Sequence, residues 1–519
     1  MSGEQRVWTA SILSVVILAI YTHVIEGKMR VAQTPAQLAA IQSQVRAAPP
    51  PQLQDIIFTQ QAQHEELIVI ESEQLVLRIG KQSAAVHAVQ LKTVRDLLTK
   101  ADLVIGNGEH YLVAPRIGDG AQAWSFVSQT RSSATWSWQA AEGLQYELVV
   151  SLDEQSPTYW IGLKVASSST QTKEVPVKIF TTWVRSDQLA GRYNMLEVAV
   201  FSKKESGWQK SHQIYRGAQR QARAVPRGTQ LLTLSERYFC QAIKPDEKLS
   251  VSTTLLPSQS DSIAAELQGS LALPPSGTEE RRFQVFIGQR DYFKLRDAGF
   301  ERAFPIGFLG QIGLGIVLLL RWIASLVHNY GVAILLLSLI VTTTLAPFTL
   351  ISVRSMKKMQ QLQPKMDQLK KKYADDQTRM NKEMFALFKQ NKVSPASGCL
   401  PMLLQMPIFF AFWSAITHSV EFRGAGFLWI KDLSLPDRLA RLPGGFELNI
   451  LPIAMAAAMF FQTKMSQSSN SSAPGANVFS GPMMSVIFGV MFYQVPSCLV
   501  LYWLTNSLIS LAIYKTVKT

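Results

Sequence analysis

The sequence predicts a mixed fold: a polytopic α-helical membrane bundle of six spans, five of them in a carboxy-terminal core, joined to an all-β sandwich on the exported side. Three observations predict it. Of the 519 residues 47% are hydrophobic and only 17% charged, and the apolar excess is concentrated at the amino terminus and after residue 305. Between those regions the chain breaks into short alternating apolar runs. The segment 352–392 carries eleven basic and four acidic side chains, a net +7 out of the chain's +14.

Residues 1–26 read as a signal anchor with the amino terminus inside. Val7 to Ile25 is uncharged and follows Arg6, and no small-x-small cleavage site precedes Glu26. Residues 27–60 are rich in Gln, Ala and Pro, hold Pro49, Pro50 and Pro51 in a row, and read as a linker. Residues 61–300 form the predicted sandwich. The runs LIVIESEQLVLRI, YELVVSLD, TYWIGLKVAS, VPVKIFTTWV, LSVSTTLLP and RFQVFIG are spaced by Gly, Asp, Ser and Pro. Cys240 is the one cysteine in this part, so no internal disulfide holds it and its core must. Its histidines, His64, His87, His110 and His212, form no recognisable pair with a carboxylate, and Trp136, Trp138 and Trp160 at strand spacing read as core.

Residues 301–330 contain Phe308 to Val327, apolar enough to cross a bilayer. Only four residues would then separate it from the next crossing, and the sandwich would share a side with the basic segment. Arg321 and Trp322 suit a helix lying in the interface instead. The core, 331–519, has predicted spans at about 331–351, 400–420, 449–464, 482–495 and 497–514. Residues 352–395 read as a helical hairpin. Leu362, Met366, Leu369 and Tyr373, then Met380, Met384, Leu387 and Phe388, recur at helical spacing on either side of Ala-Asp-Asp. A short loop this rich in Lys and Arg stays cytoplasmic, which places residues 27–330 on the other side of the membrane.

Within this framework, Gln363-Pro364, Phe388-Lys389 and Val393-Ser-Pro395-Ala-Ser-Gly398-Cys399-Leu-Pro401-Met-Leu-Leu-Gln405-Met-Pro407-Ile408 form an ordered series of Pro, Gly and Gln positions. With Pro496-Ser-Cys-Leu-Val-Leu-Tyr502-Trp503-Leu-Thr-Asn506 and Phe286-Ile-Gly288-Gln-Arg290-Asp-Tyr292, it resembles the signature of the YidC membrane protein insertases, which mitochondrial and chloroplast relatives share. The resemblance covers roughly the last 240 residues, with weaker support from Leu234-Ser-Glu-Arg-Tyr238-Phe239. It implies a Gram-negative-type member of the bacterial inner membrane. In such members the large periplasmic domain is similar to sugar-mutarotase folds, and an interfacial helix lies on the exported side. That similarity invites a carbohydrate site on Trp136, Trp138, Trp160 or a histidine, but fold does not imply function, and the reading here is a scaffold or partner-docking role.

The residues exclude ordinary enzyme chemistry and call for no cofactor: no nucleophile, base and orienting acid converge, no metal-ligand spacing appears, and no phosphate-binding glycine loop precedes a helix. Ser338, Thr342 and Thr349 fall on one helical stripe, Trp503, Asn506, Ser507 and Ser510 on another, and Gln405 sits inside a third apolar segment. The resemblance implies that Ser338, Thr342, Gln405 and Trp503 face a hydrophilic groove. The alternative is that the hydroxyls bond back to the i−4 carbonyl, while Asn506 and Gln405 tie helices together at ~0.6–2 kcal/mol each. Where the family has an arginine in an Ile-Val-Arg-like triplet, this chain reads Ile340-Val341-Thr342, so the expected groove lacks that charge. Only Lys515 and Lys518 follow the last span, in place of a long basic tail.

Met356, Met359, Met366, Met380 and Met384 are expected to offer the hairpin adaptable apolar contacts. The implied clients are nascent membrane proteins, received alone or with the Sec translocon and ribosome, with chaperone help in folding. The hairpin lysines suit anionic lipid, with no direct nucleic-acid readout. A solute transporter with a periplasmic binding domain is the competing class, but transporters usually carry internal repeats, and the sequence has no such repeat.

Overall fold

The computed structural model describes residues 65–516 except 96–100, 107–109, 118–121, 141–142, 185–195, 203–210, 217–221, 226–227, 258–261, 305–307, 375, 392, 394–399, 442–446 and 467–480. The predicted anchor and linker therefore lie outside the described residues.

The first part is a sandwich of two nine-stranded sheets, every pairing antiparallel among the described residues. One sheet runs, in spatial order, Leu67–Glu71, Leu75–Gly80, Val86–Arg95, Val113–Ile117, Lys173–Val184, Ser262–Leu273, Val251–Leu256 and Arg223–Val225, with Asp102–Ile105 added beside the third. The other runs Ser211–Arg216, Glu197–Ser202, Thr229–Ser235, Phe239–Lys244, Thr278–Gln289, Thr158–Ser167, Leu144–Leu152, Ser133–Gln139 and Ser125–Gln129. Strand Lys173–Val184 alternates Val175, Val177, Ile179, Thr181 and Trp183 inward with half-exposed residues outward, the period of two that a one-sided sheet requires. It pairs from Lys173 opposite Leu273 to Val184 opposite Ser262. Trp136 and Trp183 are fully buried between the sheets. Trp138 is only half-buried and stacks on Tyr146, and Trp160 faces an outer cleft with Glu147, Lys164 and Arg282. Cys240 is free, and burial pushes its thiol up to about 12.

One expectation is overturned. His87 does pair with a carboxylate: its Nε2 lies 2.8 Å from Glu65 Oε1, and both side chains are buried. Twenty-two residues separate them, and the turn between strands Leu75–Gly80 and Val86–Arg95 brings them together. Glu65 also accepts from the backbone N–H groups of Gln82 and Ser83 at 3.0 and 2.9 Å and from the Ser83 hydroxyl at 2.6 Å. Burial alone would raise its pKa, but the bonds from His87, Ser83 and Gln82 outweigh burial and hold it below the ordinary value. The stability Glu65 supplies is thus fully present above the unfolded carboxylate pKa of about 4.3 and is lost as pH falls through the lower folded value. Glu65→Gln should lose about 1–2 kcal/mol at neutral pH and show a flatter acid limb than the parent. Thermal midpoints of the full chain in detergent between about pH 3 and 7 check this; parallel curves would contradict it.

Nine helices follow among the described residues: α1 (Tyr292–Asp297), α2 (Phe308–Val327), α3 (Tyr330–Gln361), α4 (Gln363–Lys372), α5 (Gln377–Gln390), α6 (Leu400–His418), α7 (Ile450–Ser466), α8 (Gly481–Met491) and α9 (Ser497–Thr516). By length and composition α2, α3 and α9 are long and apolar enough to cross a membrane, and parts of α6 and α7 are shorter apolar helices. Asn329 caps α3 by accepting from Val332 N–H at 3.1 Å. At 32 residues α3 is roughly 48 Å long, well beyond the ~30 Å hydrocarbon core. Its last turns, with Arg354, Lys357 and Lys358, therefore continue the helix past residue 351, beyond the expected span. Met356 and Met359 consequently sit on α3 rather than on the two helices that follow it. The hairpin proper begins where Pro364, in the first turn of α4, needs no N–H partner.

The helices share one core. Leu320, Ile323 and Ala324 of α2 pack with Ala333, Ile334 and Leu337 of α3, Phe412 and Ile416 of α6, Leu451 and Met455 of α7, and Leu499 to Tyr502 of α9. Gly313 lets α2 approach α6, since a Cβ there would come within 2.7 Å of the Ala411 carbonyl oxygen. So α2 is not merely laid on a surface: one face is built into the bundle, while Leu318, Trp322 and Leu326 remain exposed.

Among the described residues, two elements of the sandwich side meet the bundle. The turn holding Glu236, Arg237 and Tyr238 is buried, and the Tyr238 hydroxyl, pushed up to about 12 chiefly by burial, lies beside Ser434 and Asp432 of the α6–α7 loop. The Arg423 guanidinium of the same loop stands 5.2 Å over Phe239. The second element is α1, capped by Asp291, whose Oδ1 accepts from Phe293 and Lys294 N–H at 3.0 Å. Asp291 Oδ2 pairs with Arg321 of α2, which also pairs with Glu421 through Nε at 2.6 Å.

Candidate functional site: a polar seam and a basic hairpin

The predicted site residues divide between a seam inside the bundle and the hairpin at one end of it. α3 carries three of the seam residues. Ser338 is fully buried and its Oγ donates to the Ile334 carbonyl at 2.8 Å. Thr349, half-buried, donates to the Leu345 carbonyl at 3.1 Å. Both therefore satisfy themselves within their own helix, as hydroxyls four residues from a carbonyl can. Thr342 differs: it is buried, and its Oγ1 donates across to Asn506 Oδ1 of α9 at 2.7 Å.

Asn506 extends the seam. It is also bonded to the Tyr502 hydroxyl one turn earlier, and that hydroxyl accepts from Gln405 Nε2 of α6. Thr342, Asn506, Tyr502 and Gln405 thus form a continuous, uncharged hydrogen-bonded path linking α3, α9 and α6. Trp503 is not on this path. It is half-buried in an aromatic cluster, edge-on to Phe409 at 4.9 Å and near Phe492 and Phe488 at 5.4 and 5.5 Å. Such a seam costs little to keep in an apolar bundle, because each polar group has a partner, and each interhelical bond contributes ~0.6–2 kcal/mol.

Tyr502 is the hub that the sequence reading quoted but did not assign. The signal was present: Tyr502 and Asn506 stand four residues apart, so both face one neighbour. Gln405 could not be matched to Tyr502 from spacing, since 97 residues separate them.

At the basic end, Leu362, Phe388 and Val393 form a small core, with Met359, Met366, Met384 and Phe385 packed against it. Met356 packs with Val353 and Tyr514, and Met380 is half-buried. All five methionines are partly exposed at the edge of these contacts, and Arg379 and Lys372 stand over the Tyr373 ring at 5.4 Å. No group of three or more potential metal ligands occurs among the described residues.

Residues 322–519 match the family model described as 60Kd inner membrane protein. Among curated relatives, the membrane protein insertase YidC of Endomicrobium trichonymphae is 39% identical over 245 residues, 46% of each chain. The membrane protein insertase YidC of Geobacter sulfurreducens is 29% identical over 386 residues, 73% of this chain and 70% of its own. Over its first matches the chain spans about half the length of the curated relatives. A crystal structure described as an active YidC insertase with the first transmembrane domain resolved aligns over 88% of this chain and 93% of its own, at 21% identity and a TM-score of 0.39. The matched helical part, with its two motif stretches around Gln405 and Tyr502, is similar to the 60Kd inner membrane protein family and to the YidC membrane protein insertases.

Proposed function

We propose that the protein is a membrane protein insertase and chaperone, passing the polar flank of a nascent inner-membrane protein along the seam while its apolar segment moves into lipid beside α3 and α9. The observation that carries this reading is the pairing of two features: an uncharged polar path between α3, α6 and α9, and a basic, methionine-edged hairpin at one end of α3. The path lowers the cost of a hydrophilic group at membrane depth, and the hairpin offers apolar contacts beside lysines to a segment arriving from the cytosol. In this reading the chain crosses six times, counting the anchor near residues 7–25. The amino terminus and hairpin are cytoplasmic, and the sandwich is periplasmic. Ser338, Thr342, Thr349, Gln405, Trp503 and Asn506 line or support the path. Anionic lipid, the Sec translocon and the ribosome are partners that the hairpin's charge suits.

Full-length protein in liposomes, given a small single-span substrate made in a cell-free system, tests this. Protease protection of the substrate well above empty liposomes is expected. Solute flux without protection would contradict the reading and favour transport.

A further inference from the structure

We propose that the tip Phe427–Ile430 of the α6–α7 loop is a lipid-inserting anchor that fixes the exported rim of the bundle in the outer half of the bilayer. The inference rests on reading the bundle as membrane-embedded, but not on any insertion activity.

The tip is built to hold an apolar side chain outward. Phe427 and Ile430 exchange backbone hydrogen bonds, 2.8 and 2.9 Å, which close a two-residue turn. Leu428 at its apex takes φ +52°, a left-handed conformation that leucine adopts only when its surroundings impose it. Its side chain is nevertheless 76% exposed. Trp429, 40% exposed, is tied by its Nε1, which donates to Asp437 Oδ2 at 3.2 Å, and the same oxygen accepts from the first N–H groups of α7. An outward leucine, a tethered amphipathic indole and, past the buried Ile430, the exposed cation of Lys431 stand within four residues.

Position gives the tip its occupant. Asn329 Nδ2 donates to the Gly426 carbonyl at 3.2 Å, and the absence of a side chain at Gly331 admits Phe427 against the start of α3. The loop also caps the start of α9, where Ser497 and Cys498 N–H donate to the Leu435 and Leu433 carbonyls. The tip therefore sits at the end of the bundle opposite Arg354 and Lys357. Here the exposed stripe of α2, Trp322 at 60% and Leu326 at 61%, also ends. Two side chains cannot supply the ~800 Å² per partner that a stable protein interface requires. A leaflet needs no such area: leucine enters acyl chains, the indole lies at the headgroups, and Lys431 meets phosphate.

The test uses the full chain carrying Leu428→Cys and Cys399→Ser, labelled with an environment-sensitive fluorophore, since Cys240 and Cys498 are buried. The protein is incorporated into phosphatidylethanolamine–phosphatidylglycerol vesicles, with Lys164→Cys on the sandwich's outer face as the aqueous control. Flotation with the vesicles reports the membrane reading separately. At Leu428 the emission should shift to the blue, be quenched by lipids spin-labelled near the headgroup, and lose the iodide quenching that the control retains. Iodide quenching equal to the control overturns the proposal. So does shielding from both quenchers that disappears when the protein is diluted to one copy per vesicle, which would mean that a second protein covers the tip.

Discussion

Replacing Arg321 with alanine is expected to destabilise the full chain by about 2–3 kcal/mol and lower its thermal midpoint in detergent by about 5–10 °C. Arg321 answers two carboxylates at once, Asp291 of the sandwich side and Glu421 at the end of α6, and its guanidinium lies 5.0 Å over Phe293. Both acids are nearly buried, with side chains 11% and 13% exposed. Without the arginine they confront one another with only Lys294 left nearby. Losing one partner of a fully buried pair costs ~3–5 kcal/mol; Arg321 is itself 32% exposed, and solvent screening brings the figure down. Arg321→Lys should recover only part, because an ammonium lacks the fork that spans two carboxylates. Adding Asp291→Asn and Glu421→Gln to Arg321→Ala should recover most of the loss, since the repulsion goes with the charges. Lys294 is close enough to take part, and burial holds its pKa low despite the neighbouring acids. A neutral Arg321→Ala variant would mean that the sandwich is held by the Tyr238 turn alone.

The clamp also illustrates what the sequence could and could not reveal. Arg321 and Trp322 stood out in the sequence because basic and aromatic types are unusual in so apolar a helix. That Arg321 binds Asp291 and Glu421, 30 and 100 residues away, was not legible, because pairing across a junction leaves no periodicity. The strands were legible for the opposite reason: a one-sided sheet writes its period of two directly into runs such as Lys173–Val184. His87 and Glu65 were missed because a turn, not a repeat, brings them together. Along α3 the hydroxyl stripe was legible, but not its division of labour. Ser338 and Thr349 bond to their own helix while Thr342 crosses to Asn506, a difference that spacing along α3 does not encode. How far α3 runs was not legible, because lysines mark the membrane surface whereas a helix stops only when its backbone does, here at Leu362 before Pro364.

The seam itself carries the second large effect. Thr342→Val combined with Asn506→Leu removes the α3–α9 bond with little change in volume and leaves the Tyr502 hydroxyl bonded only to Gln405. Leucine at Ser338 is avoided, since that site is fully buried and would be overpacked. Losing one or two interhelical bonds at ~0.6–1.7 kcal/mol each corresponds to a drop on the order of tenfold in passing a polar flank. A flank short of polar groups should be much less affected, because it never draws on the seam. The decisive measurement is protease-protected insertion of two substrates by the reconstituted full-length variant. The substrates share one apolar span and differ only in whether the translocated flank is polar and charged or short and neutral. The variant should lose roughly tenfold for the charged flank and nearly nothing for the neutral one. Equal, undiminished insertion of both, with the thermal midpoint unchanged, would mean that the path from Thr342 to Gln405 only ties helices together and that polar flanks cross elsewhere.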